Sequence, residues 1–397
     1  MKTPSHTLLV ASVVAFAVGC GGGSTASTSA TAPTATALQA TRSLATNDVS
    51  VLFPLGKGDL WSATTPARGG TTLFPRSAFD LITLPVIREL QGPNATYNGL
   101  RVVSMRFDPC FGGTPCYPQI RLVFQGLNDA GTSAFDGAIH ALYNLSADEF
   151  QAMTVRLKAV ASLAPENAAV TRLEVSPSLL AQGMSGAYGV ALRDVVTQTI
   201  GGAQLAKVTF MTRAQGGGAR WDFGGFNLRD FQPAGGFGIA GLDGNVLVQT
   251  VRENGGRGGG GGQGPGGAGG YAYTVAPGTL HGQLNAVLSS GAALAATASE
   301  RQAAMDALAR VENPLVESPD TVDCGACHVA NRIRGGLQAT FSLSSALAYA
   351  STTEATRLIG GAERDNDNLR AFGYFDAQPA IAQRTANETL KVLAAMR

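Results

Sequence analysis

The chain carries little charge, few histidines and no apolar run long enough to cross a bilayer. Charged residues make up 14 % of its 397 positions, against roughly 25 % in an ordinary soluble domain. Its 29 basic and 28 acidic side chains nearly cancel, and losing Lys2 with an N-terminal leader would make them equal. So balanced a surface offers neither the basic stripe that neutralises phosphates nor a lysine-rich patch for anionic lipid, which excludes nucleic acid as a partner. Of the four histidines, His6 falls in the leader. The remainder are too few for a multi-histidine metal centre and leave little for a hydrolytic triad. No H-E-x-x-H pattern is present, and Gly183-Met184-Ser185-Gly186-Ala187 lacks the last glycine of a nucleophile elbow. The glycine-dominated stretch at 253–270 has neither the Lys-Ser/Thr end nor the strict G-x-G-x-x-G of a phosphate-cradling turn, and reads as a hairpin loop.

What is present begins at the N-terminus. Lys2 precedes an apolar run from Leu8 to Val18, too short to span a membrane, and Ala17-Val18-Gly19 leads into Cys20. Residues 1–19 therefore read as a secretory signal peptide. The small residues before Cys20 and the glycines after it resemble the lipobox of bacterial lipoproteins. That resemblance implies a lipid on Cys20, which becomes the first residue of the mature chain. Ala17 departs from the family, which usually has leucine there. Gly21, standing where an aspartate would otherwise redirect sorting, implies the outer membrane. Ordinary signal cleavage beside a bystander cysteine is the alternative. Residues 20–45 are small, polar and almost uncharged, the composition of a flexible tether. The only membrane contact so implied is the lipid anchor, and the localisation is the cell envelope.

Residues 46–275 alternate in the manner of strands. Leu100–Phe107 and Gln119–Gln125 flank a proline- and cysteine-rich turn and predict a hairpin. Cys110 and Cys116 in that turn are close enough in sequence for a structural disulfide, the default in an oxidising compartment. Ala138–Leu145 reads as a third strand, and Ser146-Ala147-Asp148-Glu149 as a capping box opening a helix to about Leu163. Leu205–Thr212, Trp221–Leu228, Asn245–Arg252 and Tyr271–Val275 follow as strands. Strands with a few inserted helices predict an α+β fold built on a mainly antiparallel sheet. Past Pro277 the text turns alanine-rich and helical, giving a C-terminal helical segment at 276–397 that closes with a helix over about 380–396.

That segment contains Cys324-Gly325-Ala326-Cys327-His328, a C-x-x-C-H sequence. It resembles the attachment motif of c-type cytochromes, over at most residues 320–397. The resemblance implies one covalent haem c, with thioethers from Cys324 and Cys327 and His328 as proximal iron ligand. Where small monohaem cytochromes place a distal methionine, in a loop before the last helix, Asn368–Phe375 offers Leu369 instead. Met396 is penultimate in the chain, and Met305 lies on the apolar stripe of its own helix. His281 is a candidate sixth ligand and His140 a lesser one, with an ordinary partly buried side chain as the alternative for either, and a five-coordinate iron is the remaining reading. Glu363–Asp367 reads as a solvated loop near the haem propionates. Zinc would want a second ligand pair nearby, and a thioredoxin-like pair would want a helix start where the flanks read as loop.

The expected function is electron transfer by an envelope-anchored haem lipoprotein with an unknown redox partner and no catalytic residues. Two alternatives stand beside it. One is an open-site peroxidase or gas sensor, and the other a haem-free structural or adhesion lipoprotein with Cys324 and Cys327 in a second disulfide.

Overall fold

The computed structural model describes residues 42–82, 87, 92–110, 117–214, 220–229, 232–234, 249–253, 271–318, 321–349 and 369–397. The expected signal peptide, Cys20, most of the tether, Cys116, the glycine stretch from 254 and residues 363–367 lie outside them.

Nine strands form one sheet: β1 (Ser50–Leu52), β2 (Leu100–Asp108), β3 (Gln119–Leu127), β4 (Ala134–Asn144), β5 (Leu205–Ala214), β6 (Arg220–Arg229), β7 (Gln232–Ala234), β8 (Gln249–Glu253) and β9 (Tyr273–Ala276). Their spatial order follows the chain from β1 to β6 and then β8 and β9, with β7 paired to β6. Every pairing is antiparallel, so the sheet is a meander and the fold is α+β. The expected hairpin is β2 with β3, in register from Leu100 opposite Gly126 to Asp108 opposite Gln119, with a bulge near Val102. Cys110, just past β2, is disulfide-bonded.

Side chains alternate across a strand, so register sorts the sheet into two faces. Ile120, Leu122 and Phe124 of β3 share one face with Ile139, Ala141 and Tyr143 of β4, all fully buried. The N-terminal segment covers this face: Phe74 packs on Phe124 at 5.5 Å, and the Tyr143 hydroxyl donates to the Leu73 carbonyl. Two helices, α1 (Ala147–Ala161) and α2 (Ala187–Thr199), sit in the connection from β4 to β5. Ser146 and Glu149 form the capping box that starts α1. The sequence did not announce α2, because its glycine and threonines dilute the helical pattern.

The opposite face carries Ser104, Val123, His140 and Thr209 in one cross-strand row, with Arg106, Arg121, Leu142 and Lys207 in the next. The C-terminal segment lies here. It contains α3 (Ala298–Glu312), α4 (Cys324–Phe341), a hairpin of β10 (Phe372–Phe375) and β11 (Gln378–Ile381), and α5 (Gln383–Met396). Ser104 donates to the Phe372 carbonyl at 2.9 Å, and Gln125 to the Tyr374 carbonyl at 3.0 Å. Residues 40–397 thus pack as one unit. Among the described residues, no helix is long and apolar enough to cross a membrane.

Candidate functional site

The C-x-x-C-H sequence opens a helix; its flanks are not both loop, as the sequence suggested. Cys324 is the first residue of the 18-residue α4, and Asp323 caps it, accepting from the Ala326 amide at 2.9 Å. Helical spacing sets Cys324 and Cys327 one turn apart on the same face, with His328 directly after. Asp323 is fully buried and is held from two further directions, by Gln249 Nε2 at 2.8 Å and by the Leu280 amide at 3.0 Å. Gln249 Oε1 in turn accepts from the Gly325 amide at 2.5 Å. Gly325 is needed for this approach, since a Cβ there would stand 2.7 Å from Val275 and 3.0 Å from the Gln249 amide. The start of α4 is therefore clamped to β8 and β9.

His328 is fixed from both sides. Its Nδ1 hydrogen-bonds the carbonyl of Leu369, and its ring lies against Phe223 of β6 at 4.8 Å between centroids. A carbonyl only accepts, so Nδ1 carries the proton and the lone pair is left on Nε2. Leu369 consequently sits behind the imidazole, on the Nδ1 side. From Phe372 onward the loop Asn368–Phe375 is strand β10.

Cys324, Cys327 and His328 all open on one pocket of about 190 Å³. Its floor is the sheet face described above, including Val123, His140 and Leu142, and α5 supplies Arg384 and Glu388. His140 reaches the pocket from the centre of β4, opposite Val123 and Thr209. His281 does not line it; it precedes a short 3-10 turn at Gly282–Val287 and leaves its Nε2 buried without a hydrogen bond. Met305 is buried in α3 and Met396 in α5, neither at the pocket. The structure thus brings Cys324, Cys327, His328 and His140 together and sets His281 apart.

Electrostatics at the pocket follow from burial. Burial pushes the Cys324 thiol up to about 12, with Cys327 and Asp323 adding to it, and the Cys327 thiol up to about 11. A redox-active pair at a helix start has its thiol lowered, so these two are unlike one. They stand as free thiols. Burial drives His328 down to about 4 against the pull of the Leu369 carbonyl, and drives His140 down to about 3 with help from His328 and nearby arginines. Both rings are neutral near pH 7, the form that donates a lone pair to a metal.

One wall is an ion-pair network that sequence reasoning did not find. Arg106 joins Asp108 at 2.9 Å and also contacts Glu388; Arg121 reaches Asp108 at 2.5 Å; Arg384 reaches Glu388 at 2.8 Å. Burial opposes the Glu388 charge, but Arg106, Arg384 and Arg121 outweigh it and hold the carboxyl down at about 2. The i,i+4 pair Arg384 and Glu388 and the i,i+2 pair Arg106 and Asp108 are local in the sequence; the links that join them are not. Among the described residues, no group of three or more His, Cys, Asp or Glu side chains is placed to hold a bare metal ion.

No family model matches this chain, and neither does any curated protein or solved structure.

Proposed function

We propose that the chain carries one haem c, joined by thioethers to Cys324 and Cys327 with His328 as proximal ligand, and that it acts as an electron carrier. The observation supporting this reading is that both thiols and the imidazole of one C-x-x-C-H open on a single pocket. The residues fit such a group in chemistry as well as in spacing. Val123, Leu142, Val322 and Phe372 give the pocket apolar walls. His328 is turned and polarised by the Leu369 carbonyl, which accepts from Nδ1 as backbone carbonyls do behind metal-bound histidines.

When bound, the haem iron supplies one-electron transfer by changing oxidation state. This chain's residues then set where that happens. Gln249 and Asp323 fix the start of α4, which carries the thiols, and Phe223 packs on the flank of His328. A pocket of about 190 Å³ is smaller than the roughly 300–1,000 Å³ that encloses most ligands. A porphyrin tethered here would stand partly outside it, with an edge available to a redox partner protein. A lipid on Cys20 would tether the carrier to the envelope, with the outer membrane as the destination.

The test is intact mass after expression with a periplasmic haem-attachment system. Wild type is expected to gain one haem, and Cys324→Ala/Cys327→Ala none. A wild type without added mass, beside a c-type cytochrome matured in the same cells, contradicts the proposal and favours the haem-free reading.

A further inference from the structure

We infer that His140 is the second axial ligand of the iron, so that the haem is held between a histidine of the sheet and the histidine of the C-x-x-C-H helix. This rests on the haem reading above and adds the ligand that the C-terminal segment itself does not supply.

The argument starts from register. His140 pairs with Val123 on one side and Thr209 on the other, and Thr209 pairs with Gly225. The row holding His140 is therefore aliphatic or small, and the imidazole is its one coordinating group. The neighbouring row, Gln125, Ala138, Met211 and Phe223, is where the C-terminal segment docks: Phe223 meets His328, and Met211 receives Arg370 at 3.3 Å. His140 and Phe223 are separated by two strand spacings, ~10 Å, and by one pleat repeat, ~7 Å along the strands. His328, on α4, packs at the Phe223 end of that span and His140 stands at the other, and both line the pocket.

The competing donors are each accounted for. Met105 borders the pocket, but it pairs with Leu122, whose side chain belongs to the opposite face of the sheet, so its thioether points away. Asp323 caps α4 and Glu388 is held by Arg106 and Arg384. Lys207 is not among the usual haem-iron ligands, which are His, Cys, Met and Tyr. His281 does not reach the pocket. Among the described residues the ring of His140 has no hydrogen-bond partner, although it is half-buried in a cavity wall. Lining the pocket, that ring is open to an iron set between the two histidines.

The experiment is electron paramagnetic resonance and near-infrared magnetic circular dichroism on the ferric holoprotein, with covalent haem confirmed by mass in every sample. Wild type is expected to be low-spin with two imidazole ligands. His140→Gly should become high-spin and gain carbon monoxide binding when reduced, and added imidazole should restore the low-spin spectrum. His140→Met should stay low-spin but acquire a methionine-to-iron charge-transfer band, which reports direct ligation in a folded protein. His281→Ala should leave the wild-type spectrum unchanged. A low-spin bis-imidazole spectrum in His140→Gly, or a methionine or five-coordinate signature in wild type, overturns the assignment while leaving the haem in place. Absence of haem mass in wild type overturns the parent reading, and this one with it.

Discussion

Gln249 and Asp323, 74 residues apart in the chain, share a buried hydrogen bond of 2.8 Å that ties strand β8 to the cap of the C-x-x-C-H helix. The same Gln249 side chain accepts from the Gly325 amide and donates to the Pro277 carbonyl at 3.2 Å. One amide thus serves three partners, of which Asp323 alone keeps other donors, the Ala326 and Leu280 amides.

Replacing Gln249 with alanine should therefore cost about 2 kcal/mol, the penalty for orphaning buried polar groups. Chemical denaturation of the two proteins checks this, with an unchanged m-value. A loss below about 0.5 kcal/mol would show that the clamp contributes little.

Gly325→Ala tests the same junction by volume. The new methyl must displace Val275 or the Gln249 amide, at a cost of about 1–3 kcal/mol. Gly335 is the control, since a Cβ there meets nothing within 4 Å. Gly335→Ala should be neutral or stabilising by up to about 1 kcal/mol, because alanine is the better helix former. Thermal melts of both variants give the comparison.

The ion pairs on the pocket wall make stability fall in acid. Glu388 drops from 4.5 to about 2 on folding, so its contribution is complete above about pH 4.5 and disappears as pH falls through 2. Linkage puts the total at about 3 kcal/mol. Urea denaturation from pH 6 to pH 2.5 should show this decline, and Glu388→Gln should flatten it while lowering stability at pH 6. A parallel decline in the variant would assign the acid sensitivity to other carboxylates.

The thiols give a prediction independent of any haem. In protein expressed without maturation, Cys324 and Cys327 should react with iodoacetamide at pH 8 at least about tenfold more slowly when folded than when denatured, because only the thiolate attacks. Faster reaction in the folded state would point to an activated pair and revive a thiol–disulfide role.

Much of this arrangement could be read locally. The β2–β3 hairpin announced itself through two apolar runs around a turn, and α1 through the Ser146–Glu149 box. Residue type and spacing alone picked out Cys324, Cys327 and His328. What could not be read was long-range. Nothing in the run Ala138–Leu145 says that His140 faces the C-terminal helices, because that depends on the register of three neighbouring strands. His281, nearer in sequence to the C-x-x-C-H helix, does not line the pocket, whereas His140 does. That the Leu369 carbonyl, and not its side chain, meets His328 could not be read either. The helix start at Cys324 was missed because its cap, Asp323, follows a turn and has no Glu three residues later to complete a box.

The central claim is that Cys324 and Cys327 hold a haem, and a pyridine haemochrome spectrum of protein matured in the periplasm tests it most directly. The expected result is a c-type spectrum from one denaturation-resistant haem per chain, lost in Cys324→Ala/Cys327→Ala. A wild-type chain with no covalent haem, from cells that mature a control cytochrome, would contradict it.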